Sequence, residues 1–135
     1  MLEFSIPGTP IPQGSKRHVG NGRMIEANPK LRPWRAEVTR AALRALNGKP
    51  IFDKTDGISV ELQFFLPRPK TVTRSMPTVK PDIDKLVRAV LDGITDSGIW
   101  PDDSQVVKLV ATKNYTSDTL GKVFVKILHF SEKSV

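Results

Sequence analysis

The sequence contains no cysteine, and only two of its 135 residues are histidine. The lack of cysteine excludes a disulfide-built scaffold, a zinc site made of thiolates and a cysteine nucleophile. The histidines, His18 and His129, are too few and too far apart for a histidine-built metal centre. No apolar run approaches the roughly 18 residues of a membrane span, and no signal peptide is recognisable, so we expect a cytoplasmic protein with no membrane partner.

The composition is that of an ordinary soluble domain, with 39% hydrophobic and 26% charged residues. A chain of this length has room for one hydrophobic core, so we expect a single domain over residues 1–135.

Positive charge is concentrated in the first part of the chain. Residues 1–80 carry 14 Lys and Arg against 6 Asp and Glu, whereas residues 81–135 carry 7 against 8. A basic surface beside a more neutral scaffold is common in proteins that bind a polyanion, although a soluble protein of high pI can show the same balance.

The hydrophobic pattern predicts an α+β fold, with a small mixed or mostly antiparallel sheet and two packed helices. Proline and glycine exclude regular structure at 7–17, and Asn21-Gly22 predicts a hairpin turn within 18–27. Residues 67–80 hold three prolines and four cations, which indicates a mobile basic loop. Strands are predicted at 2–6, 58–66, 105–115 and 121–130, and helices at about 33–46 and 84–96, the second ended by Gly98.

Six aspartates lie within the 26 residues Lys80–Gln105 of this basic protein. Asp82 and Asp84 follow Pro81, which favours an extended entry into the second helix, and residues two apart in an extended segment point the same way. Two such carboxylates repel each other unless a cation lies between them, and Mg²⁺ or Mn²⁺ prefers oxygen ligands of this kind. The alternative is that an aspartate simply caps the helix.

A second acidic pair, Asp102-Asp103, follows the helix. The helix rises about 18 Å between Asp84 and Asp96, and the six steps from Ser97 to Asp103 can span up to about 20 Å. The chain can therefore run back along the helix and bring the second pair beside the first. The alternative for residues 101–104 is a polar turn that leads into the next strand.

The other two aspartates of the stretch do not fit such a site. Asp96 is a helix length away, and Asp92, about 12 Å along the axis, is expected behind the ligands or at the surface. The sequence therefore favours a cage of three or four carboxylates that holds one or two divalent ions, which would activate water and neutralise charge on a phosphate.

The same residues resemble the RusA family of Holliday-junction resolvases, small endonucleases of phages and prophages. The resemblance lies in D-I-D (82–84), L-V-R-A-V-L-D (86–92) and W-P-D-D-S-Q-V (100–106), with matching intervals. The basic segment G-T-P-I-P-Q-G-S-K-R (8–17) is also similar to the family.

The resemblance implies a homodimer that binds four-way DNA junctions and makes paired nicks in a Mg²⁺-dependent reaction of recombination and repair. It implies essential carboxylates at Asp82, Asp84 and Asp103, with Asp102 as their neighbour. The family lysine four residues after D-x-D is Arg88 here, and the usual asparagine after D-x-D is Lys85. Arg88 can stabilise charge on a phosphate but cannot transfer a proton near neutral pH, whereas Lys85 could. The alternative for both cations is a solvated ion pair with Asp84 or Asp92.

Contacts to DNA phosphates are expected from basic side chains of the N-terminal segment and of the 67–80 loop. Trp34 and Trp100 are expected in the core, with a wedge into an unstacked junction as the alternative. Two rival functions remain open at this point: a non-catalytic basic DNA-binding protein, and a nuclease that acts mainly on flaps or forks. The expected DNA-binding residues are Lys16, Arg17, Arg23, Arg68, Lys70, Arg74 and Lys80.

Overall fold

The computed structural model describes residues 1–14, 16–18, 24–26, 28–49 and 52–131, and of 16–18 and 24–26 the backbone alone. Two helices pack on one face of a four-stranded sheet, and a short hairpin is added near the N-terminus. The elements are, in chain order, β1 (Leu2–Pro7), β2 (Lys16–His18), β3 (Met24–Glu26), α1 (Leu31–Leu46), β4 (Ile58–Pro67), α2 (Ile83–Ser97), a 3₁₀ helix (Asp103–Gln105), β5 (Val106–Thr116) and β6 (Lys122–His129).

The strand order of the main sheet is β1-β6-β4-β5. The strand β4 lies inside the sheet, where it pairs antiparallel with β6 and parallel with β5. The mixed sheet and the two helices confirm the predicted α+β class. Because β4 and β5 run parallel, the chain must cross from the end of one to the start of the other, and α2 forms that crossover.

The core lies between this sheet and the helices. Alternate residues of β4, from Ile58 to Leu66, point toward the helices and are buried, as the period of a strand requires. The helix α1 contributes Trp34 and Val38, and α2 contributes the apolar stripe that includes Leu86 and Ile94. Burial of an aliphatic side chain of this size contributes about 1.5–3 kcal/mol, so the stripe fixes which face of α2 turns outward.

The helices begin and end close to the predicted positions. The predicted spans, 33–46 and 84–96, become Leu31–Leu46 and Ile83–Ser97. Asn47 (φ 52°) and Gly98 (φ 82°) adopt the left-handed conformation that closes a helix.

The helices α1 and α2 touch most closely at Gly93. A Cβ atom at this position would lie 2.7 Å from Cβ and Cγ1 of Val38, so only glycine permits the approach. Thr39 Oγ1 also donates a hydrogen bond of 2.8 Å to the Gly93 carbonyl. Close packing against α1 therefore holds α2 in place, and with it the residues that α2 exposes to solvent.

The structure contains the strands of the predicted hairpin and buries both tryptophans. The strands β2 and β3 pair antiparallel, with Arg17 opposite Ile25, and the predicted Asn21-Gly22 turn lies outside the described residues. Trp34 and Trp100 are 5% and 0% exposed, which confirms the core expectation and makes the junction-wedge alternative wrong.

Candidate active site

The D-x-D sequence stands at the entry to α2. Asp82 is the N-cap residue in extended conformation (φ −71°, ψ 141°), but its side chain makes no capping hydrogen bond. The capping alternative therefore does not account for the Asp82 carboxylate. Asp84 follows in the first turn, and both carboxylates are exposed.

The segment before D-x-D is fixed by a lysine of the neighbouring strand. Lys113, on β5, donates hydrogen bonds from Nζ to the carbonyls of Val79 (2.8 Å) and Pro81 (2.9 Å). Met76, Val79 and Ile83 line an open hollow of about 770 Å³ beside Asp82 and Asp84. The D-x-D carboxylates thus border a surface that is open to a large substrate.

The chain turns back along α2 after Gly98. Ile99 and Trp100 are both 0% exposed, and they anchor the turn in the core. Asp102 then caps the 3₁₀ helix, because its carboxylate accepts a hydrogen bond of 3.1 Å from the backbone of Ser104. The alternative of a polar turn therefore holds for Asp102, whose carboxylate caps the 3₁₀ helix.

The next residue, Asp103, lies near two other carboxylates. Partial burial raises the pKa of Asp103, and the nearby negative charges of Asp92 and Asp102 raise this pKa further. Crowded carboxylates of this kind attract either a proton or a cation.

Asp92 was expected from the sequence to lie behind the metal ligands or at the surface. It lies two turns of α2 beyond Asp84, and besides its contact with Asp103 it accepts a hydrogen bond of 2.6 Å from Gln13 Nε2. The sequence signal was present, since Asp84, Arg88 and Asp92 follow each other at intervals of four and so share one helix face. Asp96 lies one turn further along α2, a helix length from Asp84, and pairs with Arg35 of α1 at 3.0 Å.

The topology explains why Asp103 meets Asp92. The 3₁₀ helix runs directly into β5, whose first residue Val106 pairs with Ile58, the first residue of β4. Asp82, by contrast, follows the loop that leaves the other end of β4. The two acidic sequences therefore start from opposite ends of the β4-α2-β5 crossover, and the second one meets α2 near Asp92.

The two cations on α2 differ in their surroundings. Lys85 Nζ lies 3.7 Å from Asp82 Oδ2, so the ion pair forms with Asp82 rather than with Asp84 or Asp92. Arg88 is exposed and has no ion-pair partner within 4.0 Å among the described residues, which leaves its guanidinium open to an anion.

No group of three or more His, Cys, Asp or Glu side chains in the described ranges is arranged to hold a metal ion. The carboxylate oxygens of Asp103 and its neighbours nevertheless suit Mg²⁺ by their chemistry, since this ion commonly takes one or two protein carboxylates together with waters and substrate phosphates. The donor set fits an ion that is completed by DNA better than a closed protein cage.

Exposed cations surround the entry to the site. Arg68, Lys70, Arg74 and Lys80 are exposed in the segment between β4 and α2, and the Arg74 guanidinium lies 5.9 Å from the ring centre of Tyr115. Of the other expected DNA contacts, the side chains of Lys16 and Arg17 and all of Arg23 lie outside the described part of the structure.

Comparison with protein families matches residues 7–128 to endodeoxyribonuclease RusA. This chain belongs to the RusA family. Membership confirms the resemblance found in the sequence, identifies an endodeoxyribonuclease and supports action on Holliday junctions. The RusA match includes both acidic sequences and the N-terminal basic segment.

A protein from Bacillus subtilis (strain 168) is similar to this chain over most of its length. It is the uncharacterized protein YqaN, 29% identical over an alignment of 138 positions that covers 93% of this chain and 95% of YqaN. In the described ranges, neither helix has the length and hydropathy of a bilayer span.

Proposed function

We propose that this protein is a Mg²⁺-dependent endonuclease that resolves four-way DNA junctions by paired nicks in recombination and repair. The observation that carries the proposal is the approach of Asp103 to the acidic face of α2 in a chain of the RusA family. Carboxylates placed together on a protein of net charge +7 favour a site where a cation and a phosphate are bound together.

The proposed ligands of Mg²⁺, for which Mn²⁺ is a plausible substitute, are Asp82, Asp84 and Asp103, with Asp102 beside them. The bound ion would polarise the scissile phosphodiester and activate water. Asp102 contributes chiefly by holding the turn that presents Asp103, because its carboxylate is engaged by the Ser104 amide.

Arg88 is proposed to bind the scissile phosphate. Its guanidinium can donate two parallel hydrogen bonds to phosphate oxygens, and it stabilises the charge that develops in the transition state. It serves as a fixed positive charge and not as a proton donor. Lys85, held near Asp82, balances the charge of that carboxylate and remains the candidate for proton transfer.

The basic segments are proposed to contact the phosphates of the junction arms, which gives affinity with little sequence preference. A symmetric homodimer would place two acidic sites against opposing strands, as paired nicking requires. The contact residues on this proposal are Lys16, Arg17, Arg23, Arg68, Lys70, Arg74 and Lys80.

The test compares the parent protein with Asp82→Asn on a four-way junction, a flap, a fork and a linear duplex. We expect the parent to nick the junction fastest in Mg²⁺, and the variant to lose about 10²-fold or more of that rate while it binds the junction normally in EDTA. Asp118→Asn, an exposed acid in the turn between β5 and β6, is the matched control and should cut normally. If Asp82→Asn still cuts the junction, the proposed metal site is wrong. If the parent cuts flaps or forks faster than the junction, the proposed substrate is wrong.

A further inference from the structure

Gln13 ties the N-terminal proline-rich segment to the acidic face of α2. Its side-chain Nε2 donates to Asp92 Oδ2 at 2.6 Å, and its backbone N–H donates to the Lys85 carbonyl at 3.0 Å. A Cβ atom built at Gly14 would lie 3.5 Å from Cδ of Lys85, so the segment lies directly on the helix.

The side-chain oxygen of Gln13 does not contribute to the stability of the fold. Gln13 Oε1 is buried and has no hydrogen-bond partner among the residues the structure describes. Burial of an unpaired carbonyl oxygen costs free energy, and an apolar side chain of the same shape would avoid the cost. The amide is therefore better explained by what its other half does, which is to hold Asp92.

Asp92 stands between Gln13 and Asp103. Its carboxylate accepts a hydrogen bond from Gln13, and its negative charge lies close enough to Asp103 to raise the pKa of that carboxyl. A hydrogen bond to one carboxylate oxygen restricts rotation of the group and so fixes the direction of the remaining lone pairs.

We infer that Gln13 is a positioning residue of the endonuclease site. It fixes the Asp92 carboxylate beside Asp103, and it connects the segment that leads to Lys16 and Arg17 with the helix that carries Asp84 and Arg88. This inference rests on the proposed function. It adds Asp92 to the site and couples the placement of the basic segment to that of the acids.

The test replaces Gln13 by methionine, which has a similar length and no hydrogen-bonding amide. We expect the Mg²⁺ concentration for half-maximal junction cleavage to rise, and kcat to fall, by about 10-fold or more. KM for the junction should stay unchanged, because the backbone hydrogen bond from Gln13 to Lys85 still holds the basic segment on α2. In protein without DNA, the rise in Tm with added Mg²⁺ should need a correspondingly higher concentration. The Tm without metal should stay the same or increase, because the unpaired Oε1 is removed.

Two further variants complete the design. Arg35→Met removes a comparable hydrogen bond to α2, the 3.0 Å contact with Asp96, and should leave the Mg²⁺ dependence unchanged. In an Asp92→Asn background, Gln13→Met should have no additional effect, since the group that it positions has lost its charge.

The experiments test the role of Gln13 separately from the proposed function. If the parent cuts and Gln13→Met keeps the parental kcat and Mg²⁺ dependence, the inference on Gln13 is wrong and the proposed function stands. A fall in metal-free Tm that alone accounts for the lost activity would reduce Gln13 to a structural contact and also overturn the inference. If the parent cuts no branched DNA, the proposed function fails, and the Mg²⁺ dependence of Tm still tests Gln13.

Discussion

Trp100 Nε1 donates a hydrogen bond of 2.8 Å to Thr95 Oγ1, so the turn after α2 is tied to the last turn of that helix. The indole is fully buried, and its position determines where the following residues emerge. Asp102 and Asp103 are thereby directed back along α2. Hydrophobic packing and one polar contact thus place a carboxylate that the proposed chemistry needs.

The pH dependence of stability should report the crowding at Asp103. Because the pKa of Asp103 is raised in the folded protein, its ionised form destabilises the fold at neutral pH, and the penalty disappears as the pH falls through the raised pKa. Asp103→Asn should therefore increase Tm in EDTA at about pH 7, and the gain should shrink toward the ordinary aspartate pKa of about 3.9. Junction cleavage should be lost at the same time.

The control for Asp103→Asn is Asp118→Asn, which removes an exposed charge from the turn between β5 and β6. Its Tm should follow that of the parent across the pH range. A decrease in Tm for Asp103→Asn at neutral pH would show that the carboxylates are not crowded.

Lys113→Met should weaken the entry to α2. The two hydrogen bonds to the carbonyls of Val79 and Pro81 are lost, which should cost about 1–3 kcal/mol in urea unfolding. The backbone before Asp82 is then less fixed, so cleavage should fall by more than junction binding. Lys108→Met, an exposed lysine on the same strand, is the control, and equal effects of the two variants would contradict the prediction.

The salt dependence of junction binding should report the phosphate contacts. Arg74→Ala should reduce the slope of log K against log salt by about one, because one fewer counterion is released. Arg40, which already pairs with Glu37 at 2.6 Å on α1, provides the control: Arg40→Ala should leave the slope unchanged. An unchanged slope for Arg74→Ala would remove this loop from the DNA interface.

Gly93→Ala should destabilise the fold. The added methyl group would meet Val38 at 2.7 Å, and relief of that overlap costs about 1–3 kcal/mol. Gly57→Ala, whose Cβ would lie 3.4 Å from Cγ2 of the exposed Val107, should change the free energy of unfolding far less. Equal loss of stability in Gly93→Ala and Gly57→Ala would contradict the prediction.

The elements could be predicted from the sequence because their signals are local. The spacing of apolar residues predicted both ends of α2 to within one residue. Gly98 indicated the end of the helix because glycine adopts the left-handed conformation at the least cost. The strand order could not be predicted in this way. Pairing of β4 with β5 depends on contacts between distant residues, and alternation along a strand does not name its neighbour.

The site was predictable in part for the same reason. Residue type and spacing identified D-x-D and the second acidic pair, and chain length allowed the two to approach. The position of Asp103 is set by β5, because this strand must begin opposite Ile58. Asp103, just before β5, is therefore held near Asp92. Gln13 was unpredictable, since it reaches Asp92 from 79 residues away through tertiary packing alone.

The crossover between parallel strands has a consequence for the protein before it meets any ion. It spreads the aspartates along the length of one helix instead of gathering all of them at a point, and repulsion between like charges weakens with separation. We therefore expect the fold to remain stable without a bound cation, in contrast to small zinc domains that unfold when stripped of metal. A chelator should abolish DNA cleavage reversibly while the protein stays folded, and added Mg²⁺ should restore cleavage.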